Sequence, residues 1–413
     1  MPLRRLWRGS SNDCARDKER LMRFCFVKHG EVTLEWKSLK SGNVGDFPDG
    51  LVPYIQEFAG IAGQEPALVL AIGSTDLELV DGNVRVVTIR GLGQRGIKFW
   101  FDHFRGLWRM WRELVRFRPD LSIVLTPDLK ICVAWVYHTW HGGQVLPALA
   151  GTPLPQSPGR FARIVGNLVL RTLNSPRVPV VLSRGCAPGR MVREKLGDHK
   201  EIWEFWPQYP RAQVESREEV ELSQDGRFRV FFVGRIIREK GIFEVLEMAM
   251  SLRKEIPSLH VVVIGDGPDR QEAEQRCREL NLEGVVTFLG HKPAKMLFSY
   301  FATGEVLVVP THASFPEGTC KACIEGVLGG LIPVASSVGG LVDNVDDGVT
   351  GYLVPASRTD LFVERILHLY RNPELRAQMR NNAEKKRQFF LNPPNTLPTC
   401  VRRFVEHYCG VGT

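Results

Sequence analysis

The sequence lacks any uninterrupted apolar run of the roughly 18 residues that a membrane-spanning helix requires. Its opening stretch, MPLRRLWRGSSNDCARDKER, is basic but has no apolar centre of the kind a secretory signal carries. Residues 1–21 are therefore expected to form a flexible extension, and the chain to work in the cytoplasm. Cysteine is sparse: nine residues, an odd number, are scattered from Cys14 to Cys409, which excludes a disulfide framework and suits a reducing compartment. The one close pair, Cys320-x-x-Cys323, has no second Cys/His pair beside it and so too few ligands for a structural metal. Neither a metal nor a cofactor is expected. What remains, 44% hydrophobic and 24% charged residues, is the composition of a soluble globular protein.

A chain of 413 residues is too long for one ordinary core and implies two domains. Charge divides unevenly between them. Residues 1–210 hold about 29 Lys and Arg against 20 Asp and Glu, whereas residues 211–413 hold about 25 against 26. The first half thus faces something anionic. From Phe228 onward, short apolar runs (FRVFFVG, HVVVIG, VVTFLG, EVLVVP, LIPVAS, GYLVP) alternate with helical segments such as 242–254 and 269–280. Continuous Val/Ile/Leu runs with helical crossovers describe a parallel sheet buried on both faces. The first half repeats the pattern through MRFCFVKH, ALVLAIG, VRVVTI, LSIVLTP and VPVVLS, with a helix expected over PDGLVPYIQEFAG. The fold class is α/β, two doubly wound Rossmann-like domains facing a cleft. Residues 22–210 form the first, 211–390 the second, and 391–413 a tail whose helix crosses back to the first domain beyond Pro393, Pro394 and Pro398. A polar stretch, 208–227, reads as the linker.

Open α/β sheets bind ligands at the carboxyl ends of their strands. After FRVFFV that rule finds Gly234 and Arg235, then Lys240; after HVVVI it finds Gly265 and Gly267; after EVLVVP it finds THASFPEGTCKACIEG. Two cations beside a helix N-terminus suit a diphosphate, with a solvated basic loop as the plain alternative. Glu317 and Glu325 straddle a helix start. On a continuous helix they would lie about 80° apart and about 12 Å along the axis, which suits two ends of one ligand better than proton transfer across one bond. Glu325 lies in an apolar stretch where an unpaired carboxylate is costly, so it needs a partner, for which a ribose diol is suitable. Gly318, Thr319 and Cys320 would offer backbone N–H groups to phosphate.

The ordered series GR-x4-KG, VIGDGP, FLGH, VVPTHASFPEG-x6-EG, GLIPVASSVGG and DG-x2-GYLVP resembles the donor domain of retaining family 4 glycosyltransferases with a GT-B fold, over residues 228–385. The resemblance implies a UDP- or GDP-sugar donor and a metal-independent reaction. It further implies that Arg235 and Lys240 neutralise the departing diphosphate, that Glu317 lies beside the transferred sugar and that Glu325 binds the ribose. The chain departs from the family pattern with Gly326 after the second Glu and with Gly339-Gly340-Leu-Val-Asp343 where a Pro-Glu is common. The acceptor side matches weakly: Gly45 is the counterpart of a Gly-Gly loop, and His138 and His141 stand near, but not at, the position of an acceptor histidine. A sugar-nucleotide epimerase or hydrolase, and a non-catalytic glycan-binding or scaffold descendant, are the competing readings.

The segment GIKFWFDHFRGLWRMWRELVRFRPD interleaves cations with aromatic rings. Lys98, Trp100, Arg105, Trp108, Arg109, Trp111 and Arg112 are candidates for contact with an anionic membrane surface, which would suit a glycan or lipid-linked acceptor. The plain alternative is an amphipathic helix whose rings face the core. Nucleic acid is not expected, because no recognition motif accompanies the charge.

Overall fold

The computed structural model describes residues 22–40, 66–91, 97–151, 160–222, 225–315 and 317–409. The expected helix over PDGLVPYIQEFAG and the candidate Gly45 lie outside the described residues, as do the side chains of Lys98 and Trp100.

The first sheet has eight strands: β1 (Phe24–His29), β2 (Ala67–Gly73), β3 (Leu77–Asp81), β4 (Val84–Arg90), β5 (Leu121–Val124), β6 (Gln144–Leu149), β7 (Val180–Arg184) and β8 (Glu201–Phe205), in the order β3-β4-β2-β1-β5-β6-β7-β8. All neighbours are parallel except β3, which pairs antiparallel with β4 at the edge. Its helices are α1 (Val32–Lys40), α2 (Ile97–Phe117), α3 (Leu129–His141), α4 (Arg160–Leu173) and α5 (Cys186–Leu196). Because α2, α3 and α4 each follow a strand and return to the next, they run side by side over one face. There Leu107, Met110, Leu114, Ile131, Val169 and Leu173 build the core with the strands.

A short α6 (Arg211–Glu215) leads to the second sheet: β9 (Phe228–Val233), β10 (Leu259–Ile264), β11 (Val286–Gly290), β12 (Val306–Val309), β13 (Ile332–Ser336) and β14 (Tyr352–Val354), all parallel, in the order β11-β10-β9-β12-β13-β14. The order reverses direction between β9 and β12, the switch point at which such sheets open a crevice. Helices α7 (Ile242–Leu252), α8 (Arg270–Glu279), α9 (Ala294–Phe301), α10 (Lys321–Leu328), α11 (Leu341–Asn344) and α12 (Thr359–Arg371) cover both faces. That cover is why β10 and β12 are buried along their whole length, with His260 as their one polar side chain.

The linker is less polar in its packing than in its composition. Tyr209 and Val214 are buried in the second domain's core, and the Glu218 N–H donates to Ser299 at 2.8 Å. After α13 (Pro373–Asn382) and α14 (Glu384–Leu391), the chain returns to the first sheet as α15 (Leu397–Phe404). Thr396 caps this helix, and Pro398 sits in its first turn, where no backbone donor is lost. Leu397, Cys400, Val401 and Phe404, at helical spacing, fill the face opposite α2–α4.

Candidate functional site

The carboxyl edges of the two sheets meet. Thr319, in the loop after β12, donates its hydroxyl to the Arg184 carbonyl at the end of β7, at 2.6 Å. Gly318 packs so closely on the Ala150 carbonyl beyond β6 that a Cβ would stand 2.5 Å from that oxygen. Arg190 of α5 grips Asp343 of α11 with both terminal guanidinium nitrogens, Nη1 and Nη2, at 2.6 and 3.1 Å.

Beside these contacts, a cavity of about 270 Å³ opens on the second domain, lined among others by Gly234, Arg235, Lys240, Glu317, Thr319 and Cys320. Its size is just under the usual range of ligand pockets, about 300–1,000 Å³. Gly265 and Gly267 do not line it. A Cβ at Gly265 would run into the Gly234 carbonyl, and one at Gly267 into the Ile236 carbonyl, so both glycines let the β10 loop support the β9 loop from behind. A larger cavity, about 360 Å³ between α13, α14 and the start of β13, lies at the amino edge of the sheet, away from every glycine-rich strand end.

Within the site Lys240 and Glu317 form an ion pair, and the Thr311 hydroxyl donates to the same carboxylate oxygen at 3.4 Å. Both bonds fall on Oε2, which leaves Oε1 its acceptor capacity. Lys240 also lies 4.4 Å above the ring of Phe315. Arg235 is exposed on the wall and makes no ion pair among the described residues, so its guanidinium is open to an anion. Cys320 is the N-cap of α10 and supplies no side-chain cap, leaving the first-turn amides for another acceptor.

Two expectations about the carboxylates change. Glu317 precedes the N-cap of α10 by three residues, so the angle and rise reckoned on a continuous helix do not apply. Glu325, 6% exposed, is not on the cavity wall. Its carboxylate has partners within the chain, accepting from the Tyr209 hydroxyl at 3.5 Å and pairing with Lys321 at 3.8 Å. The Cys320 thiol is pushed up to about 12 by burial and by the Glu317 carboxylate, and burial raises Cys323 well above the ordinary value. Both remain protonated, unlike a redox or metal-binding pair.

On the first domain the structure moves the candidate residues. His138 and His141 occupy the last turn of α3, at the amino edge of the sheet and away from the cleft. His138 is buried. Its Nδ1–H donates to the Gly142 carbonyl at 2.7 Å, so Nε2 accepts from the Ser122 hydroxyl at 2.8 Å. Desolvation lowers its pKa to about 4. His141 stacks on Tyr137, with ring centroids 4.6 Å apart. Both are structural, and the acceptor role does not fit them. The groups at the cleft edge are instead His29 at the end of β1 and the Asp128–Lys130 ion pair after β5. Burial works against ionised Asp128, yet the Lys130 ammonium holds its pKa below the ordinary range. The strand-end rule applied to KHGE and TPDLK would have found them.

Of the membrane candidates, Arg105, Trp108 and Arg112 face outward, whereas Trp111 turns inward, edge-on to Tyr137 at 5.9 Å. Arg109 is held by Asp76. Among the described residues no helix is long and apolar enough to cross a membrane.

Residues 213–386 match the family model described as glycosyl transferases group 1. The second domain is a glycosyl transferases group 1 domain. Curated relatives match part of the chain: an alpha-D-kanosaminyltransferase of Streptomyces kanamyceticus is 32% identical over 159 residues, 38% of this chain and 40% of its own. A D-inositol 3-phosphate glycosyltransferase of Kribbella flavida is 27% identical over 257 residues, 59% of this chain and 58% of its own. The chain thus spans less than two thirds of either relative. Around the group 1 domain, the whole fold matches solved GT-B structures. HepE of Anabaena in complex with UDP superposes with a TM-score of 0.67 at 15% identity, covering 94% of this chain and 100% of that one. A sucrose-phosphate synthase of Thermosynechococcus elongatus gives 0.67 at 19% identity, over 90% and 95%.

Proposed function

We propose that this protein is a retaining glycosyltransferase that moves a sugar from a UDP- or GDP-type nucleotide sugar, held by the group 1 domain, to a hydroxyl of a glycan or lipid-linked acceptor held by the first domain. The observation that carries the reading is the pairing of Lys240 with Glu317 beside the open Arg235 and the uncapped start of α10. Arg235, Lys240 and the α10 amides concentrate positive potential where a diphosphate leaving group gains charge, work that a divalent metal would otherwise perform. With one oxygen of Glu317 fixed by Lys240 and Thr311, the other can accept from a hydroxyl of the donor sugar. In the proposed step the bond from the anomeric carbon to the diphosphate oxygen breaks. The acceptor oxygen bonds to that carbon on the same face, and its proton passes to the departing diphosphate.

The likeness of part of this chain to named sugar transferases and the UDP held by the HepE fold relative support a nucleotide-sugar donor. The test is the release of nucleoside diphosphate. It should depend on an added acceptor, and Lys240→Ala should lower turnover by about 10²- to 10³-fold while donor binding, followed by thermal shift across UDP- and GDP-sugars, weakens far less. Release without an acceptor would point to a hydrolase, and unchanged turnover in Lys240→Ala would remove the assignment.

A further inference from the structure

The outer surface of α2, α3 and α4 carries most of the large apolar side chains exposed among the described residues. At 100° per residue, Phe101, Phe104, Trp108 and Val115 of α2 fall within a sector of about 60°, turned about 150° from the core residue Met110 and about 110° from Leu114. Phe101 is 74% exposed and Trp108 57%. Arg105, Arg112 and Arg116, all exposed, flank this stripe on one side, and the Arg112 guanidinium lies over the Trp108 ring at 4.9 Å. Two further helices extend the pattern. Trp140 of α3 is 78% exposed, and α4, which contains no carboxylate, presents Ile164 and Leu168 among Arg160, Arg163 and Arg171.

We propose that this three-helix face docks the protein on an anionic lipid bilayer, with rings and aliphatic side chains entering the headgroup region and arginines meeting lipid phosphate. The charge argues against a second copy of the chain as occupant, because the same face on both copies would bring arginines together. The aliphatic residues argue against nucleic acid, since Ile164 and Leu168 cannot stack on bases as aromatic platforms do. An amphipathic surface rich in arginine, Trp and Phe is what an interfacial segment requires. The placement also serves the site. All three helices begin at the carboxyl edge of the first sheet, so a bilayer beneath this face brings the cleft mouth to headgroup level, within reach of a lipid-linked acceptor.

Vesicle sedimentation tests this without reference to turnover, so its failure is distinct from failure of the transferase reading. The full chain should sediment with phosphatidylcholine:phosphatidylglycerol vesicles (7:3) and at least about tenfold less with phosphatidylcholine alone. The double variants Phe104→Ser/Trp108→Ser and Arg112→Glu/Arg163→Glu should each lose at least about tenfold in partition, with the melting temperature and the donor-induced thermal shift retained. Wild-type partition in both variants would overturn the proposal. So would absence of binding to either vesicle, or concentration-dependent dimerisation or RNA binding that the variants abolish while vesicle binding is nil.

Discussion

His138 shows how one side chain can look chemical in a sequence and serve as structure in the fold. Its two ring nitrogens are used, one donating to the Gly142 carbonyl and one accepting from Ser122, and desolvation holds its pKa at about 4. An unfolded histidine titrates near 6.5, so between about pH 6.5 and pH 4 the unfolded chain binds a proton that the folded chain refuses. Stability contributed by neutral His138 is therefore complete above pH 6.5 and is lost as the pH falls toward 4, by an amount of order 3 kcal/mol. Urea unfolding at pH 7 and pH 5 should show a smaller acid-side loss in His138→Gln than in the wild type, although the variant is weaker at pH 7. An equal loss in both would mean that this imidazole is not the group that refuses the proton. At the same scale, Arg235, Lys240 and Glu317 were legible as candidates because each sits in a fixed order of glycine-flanked loops. The Tyr209 partner of Glu325 was not legible, since it comes from a segment whose composition reads as a linker.

Among elements, the strands of the second domain were readable because burial on both faces leaves apolar runs without alternation, and β9 to β14 all fall on such runs. β3 escaped because it is an antiparallel edge strand, LELVD, half exposed in alternate positions and joined to β4 through Gly82 at φ 59°, a hairpin turn rather than a helical crossover. β6 and β8 were passed over for a related reason, as Pro147 interrupts one and charged Glu201 and Glu204 interrupt the other. The loop that carries Glu317 depends on glycine in a way no motif count conveys. A Cβ at Gly340 would collide with the Gly318 carbonyl, while Gly318 is already pressed against Ala150 from the first domain, so the strain has no free direction of relief. Gly340→Ala should cost about 1–3 kcal/mol in urea unfolding and abolish the thermal shift produced by a bound nucleotide sugar. Gly284→Ala, where a Cβ meets nothing within 4 Å, should change stability by less than about 0.5 kcal/mol and leave the shift intact. Equal effects from the two would show that the contact between the two glycine loops does not shape the donor site.

The whole molecule is two sheets whose carboxyl edges face each other, and few groups bridge them beside the site. Arg190 and Asp343 form the one bidentate ion pair among the described residues that joins the first domain to the elements around Glu317; Arg190 is partly exposed, Asp343 nearly covered. The pair lies three residues beyond Gly340, so it ties the two domains together beside the Glu317 loop. An exposed pair of this kind adds little to global stability. Its effect belongs to geometry, because a reacting hydroxyl displaced by about 1 Å can cost about 100-fold in rate. Arg190→Ala should therefore leave the melting temperature within about 2 °C of wild type, since surface changes of this kind stay within about 0.5 kcal/mol. It should lower kcat/KM by about tenfold or more, and small-angle scattering should show a larger radius of gyration as the cleft opens. Arg190→Lys, which keeps the charge but loses the two-pronged grip, should restore only part of the rate. If Arg190→Ala instead lowers the melting temperature and leaves kcat/KM unchanged, the pair is a structural tie and the interdomain angle is set elsewhere, by the Thr319 hydroxyl on Arg184 and the seat of Gly318 on Ala150.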